Sequence, residues 1–333
     1  MTLETTVDGP DGGASPTGTG RSLTSSRGAM ADTAFRFALY AAGILVLVVI
    51  GAMMVQLFIG GLPAVMAFGF DFFTSTDWDP APDHEHYGAG IMLYGTLVTS
   101  VLALVFSVPA SLGIAFFLTE VAPIPSRKPI GIAVQLLAAV PSIIYGMWGF
   151  FIVAPIMKDY IQPLLIDGLS WLPVVGELFA GPAKGTGVFT TSLILALMVL
   201  PFMTSMYVEV LESVPGVIKE ASYGIGSTTW EVFTTVSVPY GRTAIIGATM
   251  LGLGRALGET MTVAFVIGNA ARISTSLFAS GATISSQLAN NFNESRVGSL
   301  LQASLLELGF TLFVISFLVL ALARYLVRSR LQG

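Results

Sequence analysis

Val214-Pro-Gly-Val-Ile-Lys-Glu-Ala-Ser-Tyr-Gly-Ile-Gly-Ser-Thr-Thr-Trp-Glu-Val-Phe-Thr-Thr-Val-Ser-Val-Pro239 separates two apolar runs, each long enough to cross a bilayer. Pro215 and Gly216 open a short helix, Gly226 closes it, and Ser227 to Thr229 offer a cap for a second helix expected to end at Pro239. The spacing predicts a helix–turn–helix held at the membrane surface, with Tyr223, Trp230 and Phe233 available as anchors. The plain alternative is an amphipathic helix resting on headgroups. A segment with one Lys and with Glu220 and Glu231 binds membranes weakly, which favours an addressed surface.

Outward from this segment the chain is apolar: 54% of its 333 residues are hydrophobic and 11% charged. About 20 apolar residues cross a bilayer as a helix. Six stretches qualify, at approximately 37–60, 91–118, 130–157, 186–209, 243–268 and 303–324. The fold expected is all-α and polytopic, with six transmembrane helices. Arg21, Arg27, Arg36, Arg127, Lys128, Lys219, Arg242, Arg324, Arg328 and Arg330 fall on one side, against Lys158, Lys184, Arg272 and Arg296 on the other. Positive-inside counting puts both termini in the cytoplasm.

Residues 1–33, rich in Gly, Ser, Thr and Pro, are expected to form a disordered cytoplasmic tail. A first transmembrane helix follows at 34–60, too long and too far from the N-terminus for a signal peptide and hence retained as an anchor. Gly60-Gly61-Leu-Pro63 marks its exit, and 61–90 forms an acidic extracytoplasmic loop. The remaining core runs over 91–327, with a short cytoplasmic tail at 328–333. The net charge of −5 comes largely from the 61–90 loop, through Asp71, Asp77, Asp79, Asp83 and Glu85. Asp83-His-Glu-His86 has a poor chelating spacing in a wet loop, so no metal site is expected. The absence of cysteine excludes thiolate chemistry and disulfides. Lipid is the expected surroundings, and no nucleic-acid partner is expected.

Charge inside the spans is rare and costly. Arg255 and Glu259 stand one helical turn apart in Gly252-Leu-Gly-Arg-Ala-Leu-Gly-Glu-Thr260. At i and i+4 they can touch, which suits a structural ion pair. A guanidinium also suits an oxyanion, donating in parallel to two oxygens, with Glu259 restraining it at rest. In the third predicted span Pro141 removes a backbone donor and frees a carbonyl, which makes Ser142 and Tyr145 beside it candidate neutral donors to a polar pathway. Single Ser and Thr residues elsewhere, such as Thr96, Thr99, Ser100 and Ser107, are expected to bond neighbouring helices or their own backbone.

The 214–239 segment resembles the coupling loop of ABC importer permeases, in which Glu-Ala-Ala is followed after three residues by Gly and nine residues later by Ile-x-Leu-Pro. Glu220, Ala221, Ser222, Gly226, Val236, Val238 and Pro239 occupy those positions at full spacing. Gly252 to Val263, Val266-Ile-Gly-Asn269, Tyr94 to Ser100 and Leu136 to Gly149 are similar to the phosphate-specific branch of that family, and to its C-type permease more than its A-type. The resemblance implies a type I ABC importer permease fold. It further implies an A-type partner permease and an ATPase dimer that docks on Glu220, Ala221, Ser222, Gly226 and Pro239. An extracytoplasmic phosphate-binding protein and inorganic phosphate as cargo complete the expected assembly. Molybdate- or sulfate-type oxyanions are the nearest alternative cargo.

No Gly-x-x-x-x-Gly-Lys-Ser/Thr is present, so ATP and Mg are expected on the partner ATPase and no cofactor in this chain. An intramembrane enzyme needs a nucleophile with a paired base or a ligated metal, and the spans lack Cys, His and Asp. An ion-coupled secondary transporter also uses buried charge, but it leaves the Glu-Ala-Ala spacing unexplained.

Overall fold

The computed structural model describes residues 26–81 and 84–329, and within these not the side chains of residues 26–31, 323 and 326–329. The expected tail therefore lies mostly outside the described residues, as do Asp83 and the last four residues. The chain divides into two units at Met53/Met54. The described part of the first is the N-terminal stretch of helix α1 (Ser26–Phe68), whose side chains from Phe35 to Val49 are exposed and mostly apolar.

Helix α1 starts before and ends after the predicted 34–60. Gly60 and Gly61 do not end it. A Cβ on Gly60 would lie 2.6 Å from Leu306 Cδ1, and one on Gly61 2.3 Å from Glu307 Oε2. The glycines thus permit close helix packing, and the chain stays helical through Pro63 to Phe68. The acidic loop follows as a short α2 (Asp71–Thr74) and a two-stranded hairpin, β1 (Trp78–Asp79) paired antiparallel with β2 (His86–Tyr87). Tyr87 is buried against the edges of Trp78 and Phe68. His86 Nε2 lies 3.0 Å from Ser75 Oγ.

Helix α3 (Gly90–Phe116) carries small buried residues four apart, Thr99, Ala103, Ser107, Ser111 and Ala115. This stripe lets another helix approach closely. Beyond α4 (Ile124–Ala138) the third predicted span differs from expectation. The chain breaks at Ala139 to Pro141 and restarts as α5 (Ser142–Trp148), α6 (Ala154–Ile156) and α7 (Gln162–Leu169), joined by π-helical turns into one stretch over Ser142–Leu169. The membrane-length helix therefore begins at Ser142, just after Pro141, whose missing donor and restricted preceding residue keep α4 from running on.

A short α8 (Val175–Leu178) leads to α9 (Val188–Glu212). Leu195, Val199, Met203, Tyr207 and Leu211 of α9 form the main core with α3. Ser111 of α3 donates to the Leu200 carbonyl across this interface, 3.1 Å. Thr96 and Thr99 bond back to their own helix.

The surface segment folds as α10 (Gly216–Gly224) and α11 (Thr229–Val232). The second helix does not end at Pro239. A π-turn at Phe233–Ser237 passes it into α12 (Val238–Leu257), with Pro239 in the first turn of the new α register. Proline is tolerated there because the register change already displaces the bond its N–H would have made. The fifth predicted span is also interrupted: α12 stops at Leu257, and α13 (Met261–Val266) follows after Gly258 to Thr260. A loop, α14 (Ile284–Asn291) and α15 (Leu300–Ser329) complete the chain. Among the described residues, five helices are by themselves long and apolar enough to cross a membrane, and the interrupted 238–266 stretch is consistent with a sixth crossing.

Candidate functional site

The two helix interruptions lie together. Thr262 Oγ, in the first turn of α13, donates to the Ser142 carbonyl at the start of α5, 2.9 Å. Gly146 of α5 lets the two helices touch, since a Cβ there would lie 3.1 Å from Thr262 Cα and from Phe265 Cδ2. At the first interruption Tyr145 OH donates to the Leu137 carbonyl, 3.0 Å, taking up an acceptor at the frayed end of α4. Ser142's hydroxyl makes no hydrogen bond among the described residues.

Arg255 and Glu259 do not form the i, i+4 pair. That contact needs an unbroken helix between them, and α12 ends at Leu257. Each charge instead meets a helix end of opposite polarity. Arg255 sits in the last turn of α12, where the partial negative charge of the helix terminus offsets a cation. Its guanidinium carbon lies 5.6 Å from the centre of the Phe202 ring, a cation–π contact. Glu259 Oε1 accepts from Thr262 N at 3.2 Å, capping α13. The Arg255 side chain is exposed in the single chain and close enough to Tyr145 to interact electrostatically.

The second constellation is the surface segment. Gly226 closes α10 in the left-handed region at φ +93°, with its N–H on the Tyr223 carbonyl at 2.9 Å. Ser222 Oγ donates to Ser227 Oγ at 3.0 Å, tightening the turn. Thr228 and Glu231 form a reciprocal capping box at the start of α11. The two hydrogen bonds from Thr228 hold the Glu231 carboxyl below its ordinary range. Trp230 and Phe233, expected as anchors, pack on Phe116 of α3 with ring centres 5.4 and 4.5 Å away. Glu220 and Ala221 face outward beside Val217 and Ile225, which are 76% and 86% exposed. Pro239 lies beyond the π-turn in α12, on the membrane side of this surface.

Sequence reading overlooked two carboxylates. Glu120, at the end of the stretch Gly90–Val121, takes Lys219 Nζ at 2.6 Å and so ties α10 to α3. A lone acid closing one apolar run and a lone base in the surface loop were its signal. Glu307 of α15 is 3% exposed against Gly61, and its Oε2 has no hydrogen-bond partner among the described residues. Its only sequence signal is an acid inside a span whose other charge, Arg324, stands at the very end.

The chain has known relatives in sequence and in overall fold. Residues 111–332 match the family model described as binding-protein-dependent transport system inner membrane component, about two thirds of the chain. The chain is thus a multi-pass inner-membrane permease of ABC importers. The fold also resembles the solved structure of a bacterial alginate ABC transporter in complex with alginate pentasaccharide-bound periplasmic protein. That likeness has a TM-score of 0.58 at 18% identity and covers 90% of this chain and 96% of that one. The phosphate transport system permease protein PstC of Mesorhizobium japonicum is 52% identical over 92% of this chain and 93% of its own length. The protein of that name from Xylella fastidiosa strain Temecula1 is 49% identical over 92% and 94%. Within its class the chain belongs to the PstC family.

Proposed function

We propose that this chain is a permease subunit of an ATP-driven phosphate importer, forming the translocation pathway with a second, A-type permease. An extracytoplasmic binding protein delivers phosphate, and a separate ATPase dimer, holding ATP and Mg, drives the cycle. The named relatives favour phosphate over molybdate or sulfate as cargo. The observation that carries the reading is Arg255. It is a guanidinium with no carboxylate partner among the described residues, exposed beside two helix interruptions that are bonded to each other.

Irregular backbone within a membrane is tolerated where it lines a cavity or is buried in protein, and an exposed Arg255 face suits a cavity shared with the partner permease. The guanidinium would take two phosphate oxygens, with the Ser142 hydroxyl as a ready donor. Tyr145 could donate only after leaving the Leu137 carbonyl. Glu259, capping α13 in this state, supplies an alternative anion for Arg255 when the cargo has left. Such a swap gives the site different anion affinities in its two states, which pumping requires.

The exposed apolar face of α10, with Glu220, Ala221, Ser222 and Gly226, fits a groove on the ATPase. The Lys219–Glu120 pair and the Trp230–Phe233–Phe116 cluster would carry its displacement into α3, and the run through Pro239 into α12. Labelled-phosphate uptake into vesicles holding the whole complex tests the reading. Arg255→Leu should abolish uptake and leave the complex assembled; unchanged uptake removes Arg255 from the mechanism. Uptake that survives loss of ATP but not of proton-motive force would instead favour a secondary transporter.

A further inference from the structure

Loop residues between 180 and 184 and between 272 and 279 line an open cleft of about 270 Å³, room for an oxyanion with several waters. Lys184 and Arg272 line it, and no Asp or Glu does. Neither cation has a salt bridge or a side-chain hydrogen bond among the described residues. Ser274 Oγ accepts from Ser276 N at 3.2 Å, which leaves its O–H free to donate. Unneutralised cations gathered around one hollow raise the local anion concentration.

The hollow is rigidly framed. Leu277 N donates to the Leu178 carbonyl and Phe189 N to the Leu277 carbonyl, each 2.8 Å, while Ser276 Oγ donates to Ala180. Phe179, Phe189 and Phe278 stack edge to face, with centres 5.4–5.7 Å apart. The frame is also bonded to the end of α13, through Gly187 N to the Val266 carbonyl and Gly281 N to the Ile267 carbonyl, both 3.1 Å. The start of that helix is the one Glu259 caps.

We propose that Lys184, Arg272 and the Ser274 hydroxyl form a second, outer oxyanion site that receives phosphate on its way to Arg255. The proposal rests on the phosphate-permease reading and deepens it. Both cations are exposed, so the site binds weakly and releases its ion as salt rises, as a relay should. Its connection to α13 places loading of the outer site one short helix away from the intramembrane arginine.

The test is equilibrium binding of radiolabelled inorganic phosphate to the assembled complex in nanodiscs, at low salt and without binding protein. An Arg255→Leu background isolates the outer site. Adding Lys184→Gln and Arg272→Gln should weaken the remaining binding by about tenfold or more, as expected for two lost charge-assisted contacts. Lys184→Arg with Arg272→Lys should retain it, which separates loss of charge from loss of fold. Equal phosphate binding with and without the two Gln substitutions overturns the proposal. So does loss of binding-protein docking with phosphate binding intact, because the cations then serve the carboxylates of a partner protein. Failure of the intramembrane reading shows separately, as unchanged uptake by Arg255→Leu alone.

Discussion

The interruption at residues 139–141 and the one at 258–260 look alike in outline and arise from different physics. The first is written into the chain: Pro141 has no N–H, adopts an extended backbone at φ −56° and ψ 136°, and disfavours helix in the residue before it. The second contains no proline. Gly258 has φ −88° and ψ −1°, open to any residue, and Thr260 is near-helical. The contacts at the end of α12 come largely from elsewhere in the fold. Ser285 of α14 reaches the Leu257 carbonyl, Glu259 caps α13, and Thr262 is held by Ser142. A break imposed by covalent structure persists in every state, whereas one held by three side chains can close when they let go. The conditional break is the one that carries the charges.

On this contrast Arg255→Leu should have the largest effect, with uptake falling about 100-fold or more, the scale of a lost hydrogen bond to a charged group. Pro141→Ala comes next. Removing a residue about 3 kcal/mol unfavourable in helices lets α4 and α5 join, and transport should drop about tenfold while the complex melts no lower. A variant that transports normally would show that the first break is not needed. Thr262→Val removes one hydroxyl bond within the membrane, worth about 1 kcal/mol, and should lower the melting temperature of the complex by a few degrees with partial loss of uptake. Gly258→Ala should be nearly silent in both assays, since the added Cβ meets only the Gly254 carbonyl, at 3.7 Å. A large effect there would make the second break intrinsic after all and erase the distinction.

Much of the architecture was legible because it rests on local signals. The apolar runs 91–118 and 186–209 fall within two residues of α3 and within three of α9. The Pro-Gly start, the Gly226 stop and the Thr228 cap place α10 and α11 from turn chemistry alone. Charge and proline in the sequence also single out Arg255, Glu259, Ser142 and Tyr145 as candidates. What the sequence hid depends on contacts distant in the chain. Gly60 and Gly61 read as a helix exit until α15 supplies the neighbour that requires them. Pro239 reads as a stop until the π-turn absorbs it. The Arg255–Glu259 pair fails because the helix it presumes is cut where Ser285 of α14 bonds the Leu257 carbonyl and Thr262 bonds the main chain of α5.

The bond between Thr262 and Ser142 is lopsided: one end is a hydroxyl, the other a peptide oxygen. Position 262 therefore tolerates few replacements, while position 142 keeps the bond whatever side chain it bears. Saturation mutagenesis should show a narrow tolerance at 262 on protein abundance alone. At 142 abundance should stay flat and only growth on scarce phosphate should discriminate, so Ser142→Ala tests the proposed contact between the hydroxyl and the cargo free of any scaffolding cost.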